Sequence, residues 1–150
     1  NMGSDQRFDY SVLGDAANVA SRLEGQSKTY GLPIIVGEET AKTLPEFAWL
    51  ELDLIRVIGK KQPVRIYALI GDERVKREQK FVETARMQAQ FISEYRQQNW
   101  ENANSLLKTI KENVNYNLSV LAKLYSDRID DYKTVDLPDD WDGVYSATSK

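Results

Sequence analysis

The pattern of apolar positions changes near Gly71. Before it, short runs of β-branched and aromatic residues lie between glycines and prolines. Residues 8–13 alternate aromatic, polar and aliphatic side chains and end at Gly14, which is the pattern of a strand. Gly14-Asp15 then opens a helix. The Asp15 carboxylate can accept from the orphan N–H groups of a first turn, and Ala16, Val19, Ala20 and Leu23 form one apolar stripe at helical spacing. Gly31 suits the stop of that helix. Residues 32–36 form an apolar run between Gly31 and Gly37 and read as a buried strand. Residues 38–44 read as a short helix closed before Pro45. Residues 47–57 and 64–69 read as an antiparallel hairpin across the turn Gly59-Lys60-Lys61-Gln62-Pro63.

After Gly71 there is no glycine or proline until Pro138, and apolar residues recur at helical steps. Phe81, Ala85, Ala89, Ile92 and Tyr95 mark one helix. Trp100, Ala103, Leu107, Ile110 and Val114 mark a second. Leu118, Leu121, Ala122, Tyr125, Ile129 and Tyr132 mark a third. Short polar breaks separate them, so neighbours are expected to pack antiparallel. The tail, residues 137–145, is expected to be extended and docked on the helices through Trp141. The fold class is therefore α+β, a partial sheet with its helices followed by an antiparallel all-helical extension. A half sheet leaves an unpaired edge and an uncovered face, so the helical part is expected to be the better protected.

Charge narrows the partners. With 20 Lys and Arg against 23 Asp and Glu, the net charge is −3, and no basic footprint for nucleic acid is present. The chain has no cysteine, which excludes disulfides and thiolate metal sites, and no histidine, which removes the commonest general base. Proton transfer would fall to Asp, Glu, Lys, Tyr or water. No apolar run approaches the roughly 20 residues that span a bilayer. The opening at Asn1-Met2 is read as that of a piece of something longer.

The sharpest candidate pair is Asn18 and Arg22. Their i,i+4 spacing sets them one turn apart, with Cβ atoms about 6 Å apart, on a face other than the stripe through Ala16, Ala20 and Leu23. An amide beside a guanidinium can hold a ribose oxygen and a phosphate together, and the rigid donor fork of Arg suits developing phosphoryl charge. On spacing alone, a solvated helix face is the commoner origin of such a pair. Asp139, Asp140 and Asp142 cluster in the tail and read as a solvated acidic stretch, so no metal ligand is assigned.

The run Phe8-Asp9-Tyr10-Ser11-Val12-Leu13-Gly14-Asp15-Ala16-Ala17-Asn18-Val19-Ala20-Ser21-Arg22-Leu23-Glu24 resembles a signature of class III nucleotidyl cyclases. There a strand ends in Gly-Asp or Gly-Asn and a helix reading Val-Asn-x-Ala-x-Arg follows; Ala17 stands in the place of the usual Val. The stretch from Glu51 to Lys60, followed by Pro63-Val64-Arg65-Ile66-Tyr67, resembles the final strands of the same domain. Family members read Val-Lys-Gly-Lys there. Ile58 stands where the first of those lysines reaches the triphosphate, and Lys60 matches the second. The helical part resembles the tetratricopeptide-like extension of some bacterial cyclases, which ends in a segment like Trp141-Asp142-Gly143, although no full repeat consensus is present.

The resemblance implies a C-terminal portion of a ferredoxin-like catalytic domain at residues 1–71 and a helical extension at 72–150. It implies ATP as substrate, converted to cyclic AMP and pyrophosphate in intracellular signalling. Asn18 would orient the ribose and Arg22 would stabilise the pentavalent phosphorus. Ser11 would sit at the purine-sensing position, where its hydroxyl can accept from adenine. Lys60 would touch phosphate or serve as a solvated turn lysine. The complete enzyme would be a head-to-tail homodimer using Mg or Mn. Its two metal aspartates and purine-reading lysine would lie in the missing N-terminal half, leaving this chain inactive alone. The segment is expected to be cytoplasmic, with any membrane anchor upstream. Two other readings stay open: a non-catalytic protein-interaction module and a degenerate cyclase relict.

Overall fold

The computed structural model describes residues 26–56 and 62–146. The expected strand at 8–13, the helix start at Gly14-Asp15 and most of the turn at 59–63 lie outside the described residues. In order, the elements are α1 (Gln26–Tyr30), β1 (Ile35–Gly37), α2 (Glu38–Lys42), β2 (Ala48–Arg56), β3 (Val64–Gly71), α3 (Glu73–Arg77), α4 (Gln79–Arg96), α5 (Trp100–Lys111), α6 (Ser119–Tyr132) and β4 (Tyr145–Ser146). The fold is mixed α+β. Among the described residues a four-stranded sheet in the order β1-β3-β2-β4 packs with several helices.

β2 and β3 form the expected antiparallel hairpin, from Ile55 opposite Val64 to Ala48 opposite Gly71. A register shift between Glu51 and Asp53 breaks the alternation of β2. As a result consecutive Leu52 and Asp53 are both buried, at 0% and 2% exposure. β1 departs from expectation. It is shorter than the apolar run, it borders only β3 among the described residues, and Ile35 and Val36 are half-buried. The turn after α1 explains the shift. Gly31 adopts φ +75°, both Gly31 and Leu32 donate to the Ser27 carbonyl, and Leu32 is buried before the strand begins.

The three long helices fall where the periodicity puts them, with two corrections. In α4 the buried stripe runs through Gln88 and leaves Ala89 exposed, because the Gln88 amide donates to the Glu51 carbonyl at 2.9 Å. Val114 lies beyond α5 and is 94% exposed. The single-turn α3 was not expected; Asp72 caps it by accepting from the backbone N–H groups of Arg74 and Val75.

The core is continuous across Gly71. Tyr30, Leu50, Leu52, Ile55 and Ile66 pack in one cluster with Phe91, Tyr95, Leu107, Tyr125 and Ile129. Helices therefore cover the sheet face that was expected to lie bare. The tail docks through Trp141, whose ring meets Tyr132 at 5.0 Å and Tyr95 at 5.4 Å. It then runs on to the sheet as β4, which pairs parallel with β2 through Ile55–Tyr145 and Arg56–Ser146.

Candidate functional site

Ser11, Asn18, Arg22 and Lys60 lie outside the described residues, as does Ile58. What the structure shows is the scaffold flanking them. α1 follows the segment that holds Asn18 and Arg22. β2 and β3 flank the turn that holds Lys60.

A charged network joins these flanks. The Tyr30 hydroxyl of α1 donates to Asp53 Oδ2 at 2.6 Å. Arg128 Nη1 of α6 donates to the same oxygen at 2.6 Å, and Nη2 donates to the Tyr30 hydroxyl at 3.3 Å. Asp53 Oδ1 accepts from the Leu54 N–H at 2.8 Å. The Tyr125 hydroxyl donates to the neighbouring Leu52 carbonyl. Side-chain exposure is only 7% for Arg128 and 2% for Asp53. The Arg128 guanidinium lies 3.7 Å from the Tyr145 ring centroid and 5.2 Å from that of Tyr125, a cation–π arrangement. Its Nε has no hydrogen-bond partner among the described residues.

Electrostatics keep the network charged on one side and neutral on the other. Burial alone would lower the Arg128 pKa, but the facing Asp53 carboxylate and the surrounding phenols raise it above the ordinary value. Burial first, and Asp53 next, push the Tyr30 phenol far up, so it stays a donor. Both Asp53 oxygens are occupied and out of solvent, so this carboxylate cannot serve a substrate as base or ligand; its work is structural. Sequence reading missed it because a charged residue is assigned to the outside. One signal was available. Arg128 lies three residues after Tyr125 and one before Ile129, on the apolar face of its own helix.

A second cluster sits nearer the surface. Glu51 Oε2 accepts from Arg65 and, at 3.2 Å, from Arg96, while Arg65 also approaches Glu38 at 3.8 Å. These groups are a quarter to two-fifths exposed and partly screened. Between α5 and α6 lies an open groove of about 660 Å³, lined in part by Leu107, Val120, Lys108, Lys111 and Lys123. Among the described residues no group of three or more carboxylates could hold a metal ion, and Asp139, Asp140 and Asp142 are exposed. The described donors therefore do not fit a two-metal phosphoryl-transfer centre. No described helix is long and apolar enough to cross a membrane.

Part of the chain is similar to curated proteins. It is 41% identical to the adenylate cyclase of Anabaena cylindrica over 70 residues, covering 44% of this chain and 14% of that one. It is 32% identical to adenylate cyclase 1 of Rhizobium meliloti over 72 residues, covering 47% and 11%. It is 35% identical to the terminal-differentiation specific adenylate cyclase of Dictyostelium discoideum over 77 residues, covering 49% and 4%. The chain contains a class III cyclase-related region. The matched stretch spans at most 14% of the length of these relatives. No protein-family profile and no solved structure matches the chain. The cyclase-related region fills less than half of the chain, so the remainder must be understood from its packing.

Proposed function

We propose that this chain is the nucleotide-facing, C-terminal portion of an adenylate cyclase. Residues 1–71 would complete a ferredoxin-like catalytic domain, and 72–150 would form its tetratricopeptide-like extension. The reaction is attack of the ATP 3′-hydroxyl on the α-phosphate, giving cyclic AMP and pyrophosphate. The observation that carries this reading is the 32–41% identity to three relatives named adenylate cyclase.

The residues then take roles by position. The Asn18 amide orients the ribose. The Arg22 guanidinium donates to phosphoryl oxygens as charge builds on them, which lowers the barrier because the contact strengthens in the transition state. The Ser11 hydroxyl meets the adenine, and Lys60 reaches phosphate from its turn. The Mg or Mn ligands belong to the N-terminal half of a head-to-tail homodimer. Ile58, where the family places a lysine, favours the second reading, a non-catalytic interaction module.

The test compares the complete protein with this chain alone, each given ATP or GTP with magnesium or manganese. The expected result is cyclic AMP from the complete protein, with ATP preferred over GTP, and none from the chain above a denatured control. A complete protein that forms no cyclic AMP would overturn the cyclase reading. Turnover by the chain alone would overturn its dependence on a missing half.

A further inference from the structure

We infer that Arg128 is a positioning residue through which the helical extension and its tail hold the segment that follows Asn18 and Arg22. Its kinetic consequence rests on the cyclase reading; its structural part does not.

One side chain joins four segments. Arg128 of α6 grips Asp53 of β2 and Tyr30 of α1, and Tyr145 of β4 closes over its guanidinium. A second contact ties the same pieces. A Cβ built on Gly31, just past α1, would lie 2.4 Å from Val120 Cβ on α6, so the two backbones already meet as closely as glycine allows. The tail also reaches the other flank of the candidate site. β4 pairs with Ile55 and Arg56, at the end of β2 that leads into the turn holding Lys60. The extension thus touches both segments from which the candidate nucleotide residues depart.

The chemistry of the network argues for alignment over adhesion. A buried ion pair gains little over apolar side chains of the same volume, because desolvation offsets the attraction. What apolar packing cannot supply is direction. The guanidinium fork fixes Asp53 and the Tyr30 hydroxyl together at set angles. Asp53 is in reach because the irregularity in β2 brings it into the core beside Leu52. Moving α6 or lifting Tyr145 must then be felt at Tyr30, the last residue of α1.

Hydrogen exchange on the full chain tests this with Arg128→Met and Tyr145→Ala. The second variant removes a half-buried ring and leaves the Arg128–Asp53 pair in place, so it should fold even if the first does not. Leu107→Ala, a core truncation outside the network, serves as the control. The reporters are the Gly31 and Leu32 amides, both bonded to the Ser27 carbonyl. They should exchange at least about tenfold faster in Arg128→Met and about threefold faster in Tyr145→Ala, with the α5 amides unchanged. Unchanged reporters, or a rise spread evenly over all helices as expected for Leu107→Ala, would overturn the coupling. In the complete enzyme both variants should lower kcat while KM for ATP stays within about twofold. Loosened reporters with kcat intact would overturn the positioning role. A wild-type enzyme that makes no cyclic AMP would remove the cyclase reading, while the exchange result would still decide the coupling.

Discussion

Tyr30, Tyr95 and Tyr125 give the core an unusual dependence on alkaline pH. Burial raises all three phenols far above the ordinary value of 10.0, with Asp53 adding to the effect on Tyr30 and Tyr125. Unfolded, each would release its proton near pH 10; folded, each keeps it. Their contribution is therefore fully present below about pH 10 and is lost as pH rises past it. Each phenol should withdraw about 1.4 kcal/mol per pH unit above that point, so three withdraw about 4 kcal/mol by about pH 11. Urea unfolding midpoints at about pH 9 and about pH 11 measure the loss; equal midpoints would contradict the burial of these hydroxyls. Gly31 offers a second residue-level test. Its φ of +75° and its closeness to Val120 leave no place for a methyl group. Gly31→Ala should cost about 2–5 kcal/mol, the sum of left-handed strain and overpacking. Adding Val120→Ala should return the packing part and leave the strain. If the double variant is no more stable than the single, the close approach is not what excludes the side chain.

The tail is the element whose removal should be felt most widely. Trp141 meets Tyr95, Trp100 and Tyr132 with ring centroids 5.0–5.9 Å apart. Trp141→Ala should destabilise by about 2–3 kcal/mol, less than a fully buried tryptophan because the residue is only partly buried. A shift of the urea midpoint with unchanged slope would report it; no shift would mean that the tail is not docked in solution. Elements with a sustained period were legible in the sequence. The β2–β3 hairpin and the cores of α4, α5 and α6 all follow from apolar spacing. α3 and β4 are too short to carry a period: one depends on the Asp72 cap and the other on a partner strand far away in sequence. Gln88, Asp53 and Arg128 escaped for a related reason. Each is polar and buried, and only its three-dimensional partner makes that burial tolerable. Of the candidate site itself, the motif around Asn18 and Arg22 was legible as a family resemblance and lies outside the described residues.

At the scale of the whole molecule, sheet and helices share one core. The described parts should therefore unfold together. Tryptophan fluorescence, which samples Trp49 on β2 as well as Trp100 and Trp141, should fall with the same urea midpoint as the helical circular dichroism. Separated midpoints, with the helical signal the more resistant, would instead match the expectation from sequence that the helical part is the better protected. The joint core also explains how the helical extension bears on the cyclase-related region, which it adjoins through α1 and β2. We propose that the cyclase-related region acts on ATP through Arg22 in the transition state. The most direct measurement is steady-state kinetics of Arg22→Ala built into the complete enzyme, with Ser11→Ala on the same footing. Arg22→Ala should lower kcat about a hundredfold, or about 3 kcal/mol, with little change in KM for ATP. Ser11→Ala should leave kcat near its parent value and shift KM and the ATP-over-GTP preference by about 1 kcal/mol. An Arg22→Ala enzyme with kcat intact would contradict the account.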